Sequence, residues 1–386
     1  MTQLRAMGLG LRDAQRRPAP AAVSVRPAAA LRRRAGRWRT LILLATILVL
    51  AMALAAARGA VAIPLSHVAG IVLHQLGLPV APAWPAAEES ILWQLRLPRV
   101  VAAALVGASL ATSGVLLQGL FRNPLVDPFV LGLSAGAGLA ATLTVALLAA
   151  GFGIAAPAAL RWTGFGPVPL AGALGGLASV TIVYSAARRG GRVPTTRLLL
   201  AGLALSSILA ALSTALVVLS DRLLLQWRAL LGWLFGGVAV SGWAPVRATA
   251  PLVLIGIVAA LALARWLDAL LLGEEGAAQI GVPVEAAKVA IVVVASLLTG
   301  ASVALAGLVS FVGLLVPHAA RLALGPGHRT LVPGAALSGA FFLVLADLLA
   351  RTVIAPTELP VGVITALCGG PAFLWLLRRQ ASGGSW

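Results

Sequence analysis

The chain is short of the groups that build soluble enzymes. Of its 386 residues only 10% are charged, while 60% are hydrophobic; a soluble domain carries roughly a quarter charged residues. The single cysteine, Cys368, excludes an internal disulfide. It also offers one thiolate where a metal site needs several converging ligands, so it reads as a structural thiol. The four histidines, His67, His74, His318 and His328, stand in no metal-binding spacing. His67 and His74 read as surface residues of one outer loop, and His318 as a satisfied buried histidine. The only lysine, Lys288, follows Ala286-Ala287, so the Gly-x-x-x-x-Gly-Lys-Ser/Thr phosphate loop is missing. If ATP powers this protein, another subunit must bind it. Eleven acidic residues fall in tails and loops, except Asp347, which lies near the outer end of an apolar run with Arg351 four residues on. A proton-coupled carrier needs an ionisable group deep in the bilayer, so an ion-coupled secondary transporter stands as the alternative reading rather than the first one.

Long apolar runs are what the sequence does have. Leu41 to Ala57 carries no charge at all. A helix of about 20 apolar residues covers the hydrocarbon of a bilayer. Candidate spans fall at 38–58, 93–119, 129–151, 166–187, 197–219, 246–266, 286–306, 308–324, 331–351 and 360–378. The stretch 308–324 is short and holds Pro317, which makes it the weakest of the ten. Trp227 to Phe235 is too short to cross and reads as an interfacial or re-entrant helix. The expected fold is an all-α polytopic membrane protein of about ten transmembrane helices. Residues 1–37, rich in Arg, Ala and Pro without a period, are expected to be a disordered basic cytoplasmic tail. The apolar run behind Arg32, Arg33 and Arg34 is long and ends in no clear cleavage site, so it reads as a retained first helix rather than a signal peptide.

A net charge of +18 raises nucleic acid as a partner, and its distribution argues against one. Ten of the 29 basic residues lie in the first 39 positions, and most others flank apolar runs. With the N-terminus inside and ten spans, inner segments hold 21 basic residues and outer segments 8. The positive-inside rule then puts both termini in the cytoplasm.

Sliding the chain by 193 residues reveals an internal repeat. Gly107-Ala108-Ser109 falls on Gly300-Ala301-Ser302, and Gly114 and Pro124 fall on Gly307 and Pro317. The shift spans five helices, an odd number, so the copies would run in opposite directions. Inverted repeats are a transporter device.

Three segments carry more specific signals. Leu95-Arg96-Leu97-Pro98-Arg99 sets two arginines on the outer side, against the charge trend; Arg351 can join them. An arginine fork binds a carboxylate bidentately, so the cluster suits docking of an acidic partner. Leu267 to Val284 reads as two short helices around Gly273, closed by Gly281 and Pro283, with Glu274 and Glu275 in the second helix's first turn. It can pack on its own bundle or fill a partner's cleft. Gln118 to Pro128 ends a helix in a rigid turn built on Pro124 and Pro128.

These stretches resemble the FecCD/BtuC-type permeases, the membrane subunits of ABC importers for siderophores, haem and cobalamin. The resemblance runs from about residue 90 to 379. It is carried by Arg96-Leu97-Pro98-Arg99, Gly119-Leu120-Phe121-Arg122-Asn123-Pro124-Leu125, Leu272-Gly273-Glu274, Ala304-Leu305-Ala306-Gly307, Val316-Pro317-His318 and Glu358-Leu359-Pro360-Val361-Gly362. The resemblance implies a permease domain over 38–386 in a bacterial inner membrane, a homodimer with a second copy, and two ATPase subunits that hold ATP and magnesium. It also implies a periplasmic binding protein whose glutamates meet Arg96, Arg99 and Arg351. The 267–284 segment would be the coupling element seated in an ATPase cleft, with Leu272, Gly273, Glu274, Ala277, Ala278, Ile280 and Gly281 at the contact. The pathway would run between the fifth and tenth spans, and Ser206, Ser207, Ser213 and Thr214 are its candidate lining, against ordinary hydroxyl back-bonding within the helix. Family frequency favours a ferric siderophore as the cargo, with haem and cobalamin open. No catalytic residue, bound cofactor or metal is expected on this chain.

Overall fold

The computed structural model describes residues 27–59, 61–220, 227–238, 240–355 and 357–381. The chain divides into two units, Met1–Thr40 and Leu41–Trp386. Of the first, the described part is the opening of helix α1 (Pro27–Ala57). The helix therefore starts inside the expected tail of 1–37, whose residues 1–26 lie outside the described residues. The reason is compositional: Ala, Leu and Arg dominate 28–37, and all three are strong helix formers.

The second unit is helical throughout its described elements. After α1 come α2 (Leu65–Gln75) and α3 (Ala86–Ser90), a π-turn at Ile91–Arg96, and α4 (Leu97–Phe121). Then follow α5 (Leu133–Ala149), α6 (Pro167–Ala187), α7 (Thr195–Val218) and α8 (Trp227–Leu234). The last are α9 (Ala244–Leu270), α10 (Glu274–Gln279), α11 (Val284–Ala306), α12 (Val312–Leu324), α13 (His328–Thr352) and α14 (Val361–Ala381).

Among the described residues, seven helices are long and apolar enough to cross a bilayer, and α5, α12 and α14 are shorter apolar helices. These ten correspond to the ten expected spans, with three corrections. The second begins early, at Ala86, and runs 36 residues to Phe121, more than a bilayer needs. The eighth begins late: Leu308–Phe311 is non-helical, Phe311 has a φ of 67°, and α12 has only 13 residues. At 1.5 Å per residue α12 reaches about 20 Å, short of the roughly 30 Å hydrocarbon core. Helix α2 was not anticipated, because its short apolar face is interrupted by two histidines.

Helix α4 is the centre of the bundle and α7 its edge. In its most apolar stretch α4 is 78% buried and α7 only 6%. Helix α4 packs along α13, α11, α9 and α12. Small residues set the distance, as expected in lipid where packing holds helices together. A β-carbon on Gly107 would collide with the carbonyl oxygen of Gly339, and one on Gly339 with that of Gly107. A β-carbon on Gly114 would strike the carbonyl of Gly313. From Arg99 opposite Asp347, through Gly107 opposite Gly339, to Gly119 opposite His328, α4 and α13 run antiparallel.

The internal repeat maps α4 onto α11, and the two run in opposite directions, with Ser113 of α4 donating to the Ala295 carbonyl of α11 at 3.0 Å. The copies part from Gly114 onward, and Pro124 lies in the turn after α4 whereas its counterpart Pro317 lies inside α12. Gly114 lies mid-helix, whereas its counterpart Gly307 ends α11 with φ 65° under the Trp233 carbonyl. Helix α8 packs there: the Gly237 N–H donates to the Ala306 carbonyl at 2.9 Å, and the Trp233 ring covers Gly172.

Candidate functional site

Polar side chains gather at the two opposite ends of the bundle. At the first end α1 stops at Ala57, leaving its last carbonyls without helical partners. Two arginines from other helices supply them. Arg96 Nη1 donates to the Ala56 and Ala57 carbonyls at 3.1 and 3.3 Å, and Arg96 Nη2 donates to Val61 O. Arg351 Nη2 donates to Ala55 O at 3.2 Å. A cation at a helix C-terminus is also favoured by the helix dipole.

Asp347, almost wholly buried, ties Arg351 to a third arginine, Arg99. Its carboxylate lies 3.0 Å from Arg99 and 3.0 Å from Arg351. Arg99 Nη1 also donates to Glu358 Oε2 at 2.8 Å. Arg96, Arg99, Arg351 and Glu358 line one cavity of about 460 Å³. The three arginines singled out for docking thus share one site. Arg96 and Arg351 are buried and spend donors on α1, so Arg99 and the half-exposed Glu358 form its accessible part. Sequence reading paired Asp347 with Arg351, as the structure has them, but missed that Arg99 shares the Asp347 carboxylate and that Glu358 joins the cluster.

Residues 61–90 form a small cap at this end. Gly70 admits the Trp84 ring, the His67 ring sits 2.7 Å from Glu88, and Glu89 accepts from Trp84 Nε1 and Gln75 Nε2 at 3.0 and 2.7 Å. His74 meets Val80 O at 3.0 Å. The two histidines read as surface residues are therefore half-buried and hydrogen-bonded.

At the opposite end, the expected pair of short helices is one. Leu267 and Leu270 are buried and extend α9, which leaves α10 as the single short helix. Gly273 makes the break with φ 95°, and Gly281 turns the chain out with φ 85°. Both conformations suit glycine alone among common residues. Of the residues assigned to the coupling contact, Ala277 is fully buried against the bundle and is not available to a partner. Leu272 and Ile280 face outward, 67% and 62% exposed, with Ala278 beside them.

Lys288 anchors this segment. Its buried ammonium donates to Glu274 Oε2 at 2.7 Å, Glu285 Oε1 at 3.0 Å and Val193 O at 3.0 Å. Glu285 Oε2 accepts the Val193 N–H at 3.1 Å. One lysine thus joins α10, α11 and the loop that opens α7. Nearby, the Asp268 carboxylate of α9 accepts from the His328 backbone N–H at 3.1 Å and lies 2.6 Å from its ring.

The Gln118 to Pro128 turn closes the same end. Arg122 takes a left-handed conformation, φ 48°, and Asn123 Oδ1 accepts the Leu125 N–H at 2.9 Å. Asp127 accepts the Phe129 N–H at 2.9 Å and caps a 3₁₀ turn over Pro128–Leu131. Burial pushes the Asp127 carboxyl up to about 6, against the lowering effect of that hydrogen bond.

The four hydroxyls on α7 divide by face. Ser206 and Ser213 are half-buried against their own bundle, and Ser207 and Thr214 are exposed. Ser207, Ser213 and Thr214 each donate to the carbonyl four residues back, at 3.0, 2.9 and 3.0 Å. The back-bonding reading describes these three.

Among the described residues, seven membrane-length helices and three shorter apolar ones pack into a bundle with ionic clusters at its two ends, the architecture of a polytopic membrane protein. The sequence matches the FecCD transport family over residues 45–379, and the chain belongs to that family of ABC transporter permeases. It is 42% identical over 343 residues to the cobalamin import system permease protein BtuC of Halobacterium salinarum, covering 84% of this chain and 88% of that one. It is 40% identical over 309 residues to the hemin transport system permease protein HmuU of Yersinia pestis, covering 79% and 89%. Its fold matches an inward-facing structure of a transporter assigned to the metal-chelate ABC type, with a TM-score of 0.73, 28% identity, and coverage of 88% of this chain and 99% of that one.

Proposed function

We propose that this chain is the membrane-spanning subunit of a binding-protein-dependent ABC importer in a bacterial inner membrane. Its cargo is a bulky metal chelate, the class that includes ferric siderophores, haem and cobalamin. Both termini lie in the cytoplasm, the chain pairs with a second copy, and two ATPase subunits and a periplasmic binding protein complete the machine. The observation that carries this reading is the outward display of Leu272 and Ile280 at the two ends of a short helix, α10, that Lys288 pins to the bundle. Large apolar side chains left exposed at the membrane end of the bundle suit a protein partner. The opposite end supplies Arg99 and Glu358 around a 460 Å³ cavity, a polar surface suited to a charged docking partner. The names of the two relatives, one for cobalamin and one for hemin, support a large metal-bearing cargo.

The mechanism follows from the connections. An ATPase gripping α10 pulls on Glu274, and Lys288 passes the displacement to α11 and to Val193 at the head of α7. Alternating closure of the two ends then moves the cargo without a tight binding site in between.

The test is uptake by proteoliposomes holding the chain, its ATPase and its binding protein, with cobalamin, hemin and a ferric siderophore offered separately. Uptake of one of these that needs both ATP and the binding protein is the expected result. Uptake by the chain alone under an ion gradient would overturn it in favour of an ion-coupled carrier.

A further inference from the structure

Away from both ends, the side of the bundle carries an open groove of about 500 Å³ between α6 and α11. Its walls are apolar for most of their length, with Leu177 and Val180 on one side and Val289 and Val293 on the other. The inner limit lies where Leu177 packs near Gly300. The outer limit is Arg188, just past the last residue of α6. Those eleven residues of helix rise about 17 Å, close to half of a roughly 30 Å hydrocarbon core. The groove is therefore one leaflet deep.

Its mouth is polar and basic. Tyr184, the chain's only tyrosine, stands four residues before Arg188 on the same face of α6. Tyrosine at the end of a span marks the headgroup level. Beyond Arg188 the backbone doubles back through Gly190 and Gly191, with φ 58° and 80°, and the Arg189 and Arg192 backbones bond each other at 2.9 and 3.1 Å. Two successive residues with positive φ make a tight hairpin that glycine adopts without strain. Arg188 lines the mouth itself, and the hairpin sets Arg189 and Arg192 opposite each other directly beyond it; all three are exposed. Among the described residues no ion pair engages any of the three, and the neighbouring Glu285 already serves Lys288 and the Val193 N–H.

An uncharged lipid would fill the trough and leave three arginines unmatched. A free phosphate would meet the arginines and leave the trough empty. One ligand uses both. We propose that the α6–α11 groove is a binding site for an anionic phospholipid, with an acyl chain along Leu177, Val180 and Val293 and the phosphate held by Arg188, Arg189 and Arg192. Guanidinium forks match phosphate oxygens bidentately, and basic pockets between membrane helices are suited to anionic headgroups.

The experiment is native mass spectrometry of the intact, delipidated chain offered equal amounts of phosphatidylglycerol and phosphatidylcholine. The expected result is retention of phosphatidylglycerol with a preference of about tenfold or more, from the surface attraction of several arginines. The triple variant Arg188→Gln, Arg189→Gln, Arg192→Gln is expected to lose that preference while unfolding at the same temperature in detergent. Val293→Trp, which fills the trough, is expected to lower occupancy by both lipids. Glycerol 3-phosphate, which carries the headgroup charge without the chain, is expected not to compete. Equal retention of the two lipids, an unchanged preference in the triple variant, or displacement by glycerol 3-phosphate would each overturn the proposal. So would a disulfide between two copies through Val293→Cys in a Cys368→Ser background, because a second copy would then occupy the groove.

Discussion

Arg99 and Asp347 lie 248 positions apart in the chain and 3.0 Å apart in space. They lock the start of α4 to the end of α13, and Arg351 shares the same buried carboxylate. Asp347→Asn keeps the shape and removes the charge that holds two arginines. Breaking a buried ion pair on one side costs about 3–5 kcal/mol. A marked fall in the thermal unfolding temperature in detergent is expected, larger than for Glu358→Gln, whose carboxylate is half exposed. Equal effects of the two substitutions would contradict the central place given to Asp347.

Lys288 is predicted to couple rather than merely stabilise. Lys288→Met leaves Glu274 and Glu285 without their cation and frees α10 from α11. Faster amide exchange across 272–283 is expected, together with ATP hydrolysis that no longer drives uptake in the assembled transporter. Lys288→Arg keeps the charge and is expected to restore part of the uptake. Loss of uptake with unchanged exchange would break the link between the pin and transmission.

The outward residues of the same loop make a separable prediction. Leu272→Asp and Ile280→Asp touch nothing in the chain's core, so the unfolding temperature should stay within a degree or two, as surface changes usually cost less than about 0.5 kcal/mol. Co-purification with the ATPase should fall sharply. Retained co-purification would mean that the partner grips elsewhere.

Helix approach is tested at Gly107. Gly107→Ala puts a methyl group into the Gly339 carbonyl, and overpacking of this kind costs about 1–3 kcal/mol or more. Gly153→Ala, where nothing lies within 4 Å, is the control and should leave the unfolding temperature unchanged.

Asp127 gives a pH signature. Its carboxyl is pushed up to about 6 in the fold, above the ordinary carboxylate value of 3.8. The folded state therefore holds this proton more tightly than the unfolded one. Stability from this group grows as pH falls through 6 towards 4 and is absent above 6. Asp127→Asn, which can still cap the Phe129 N–H, should flatten that part of the stability–pH curve. An identical curve for the variant would show that Asp127 titrates normally.

The positions of the ten apolar helices were legible because long apolar runs report burial in lipid directly, although only seven of them reach membrane-crossing length among the described residues. What the runs could not report were interruptions made by backbone geometry. Phe311 delays α12 through a left-handed conformation that no apolar count records. Gly307, matched to Gly114 by sequence, breaks a helix where its counterpart continues one, because the Trp233 carbonyl presses on it. The arginine cluster was legible as a set and not as a geometry. Arg96 looked like a free cation and Arg351 like the partner of Asp347 alone, until α1 supplied carbonyls from some 40 and nearly 300 residues away. Ala277 likewise reads as a contact residue in a linear motif, and only packing shows its side chain turned inward.

The arginine clasp on α1 also bears on biogenesis. A ribosome delivers Ala55, Ala56 and Ala57 early, Arg96 somewhat later and Arg351 almost last. The Ala57 carbonyl finds the Ile63 N–H almost at once and Arg96 follows, but the Ala55 carbonyl waits for Arg351 until nearly the whole polypeptide has been made, so the clasp is completed only when the ninth span arrives. A stalled or truncated product would carry a frayed first helix, an identifiable mark for membrane quality-control proteases.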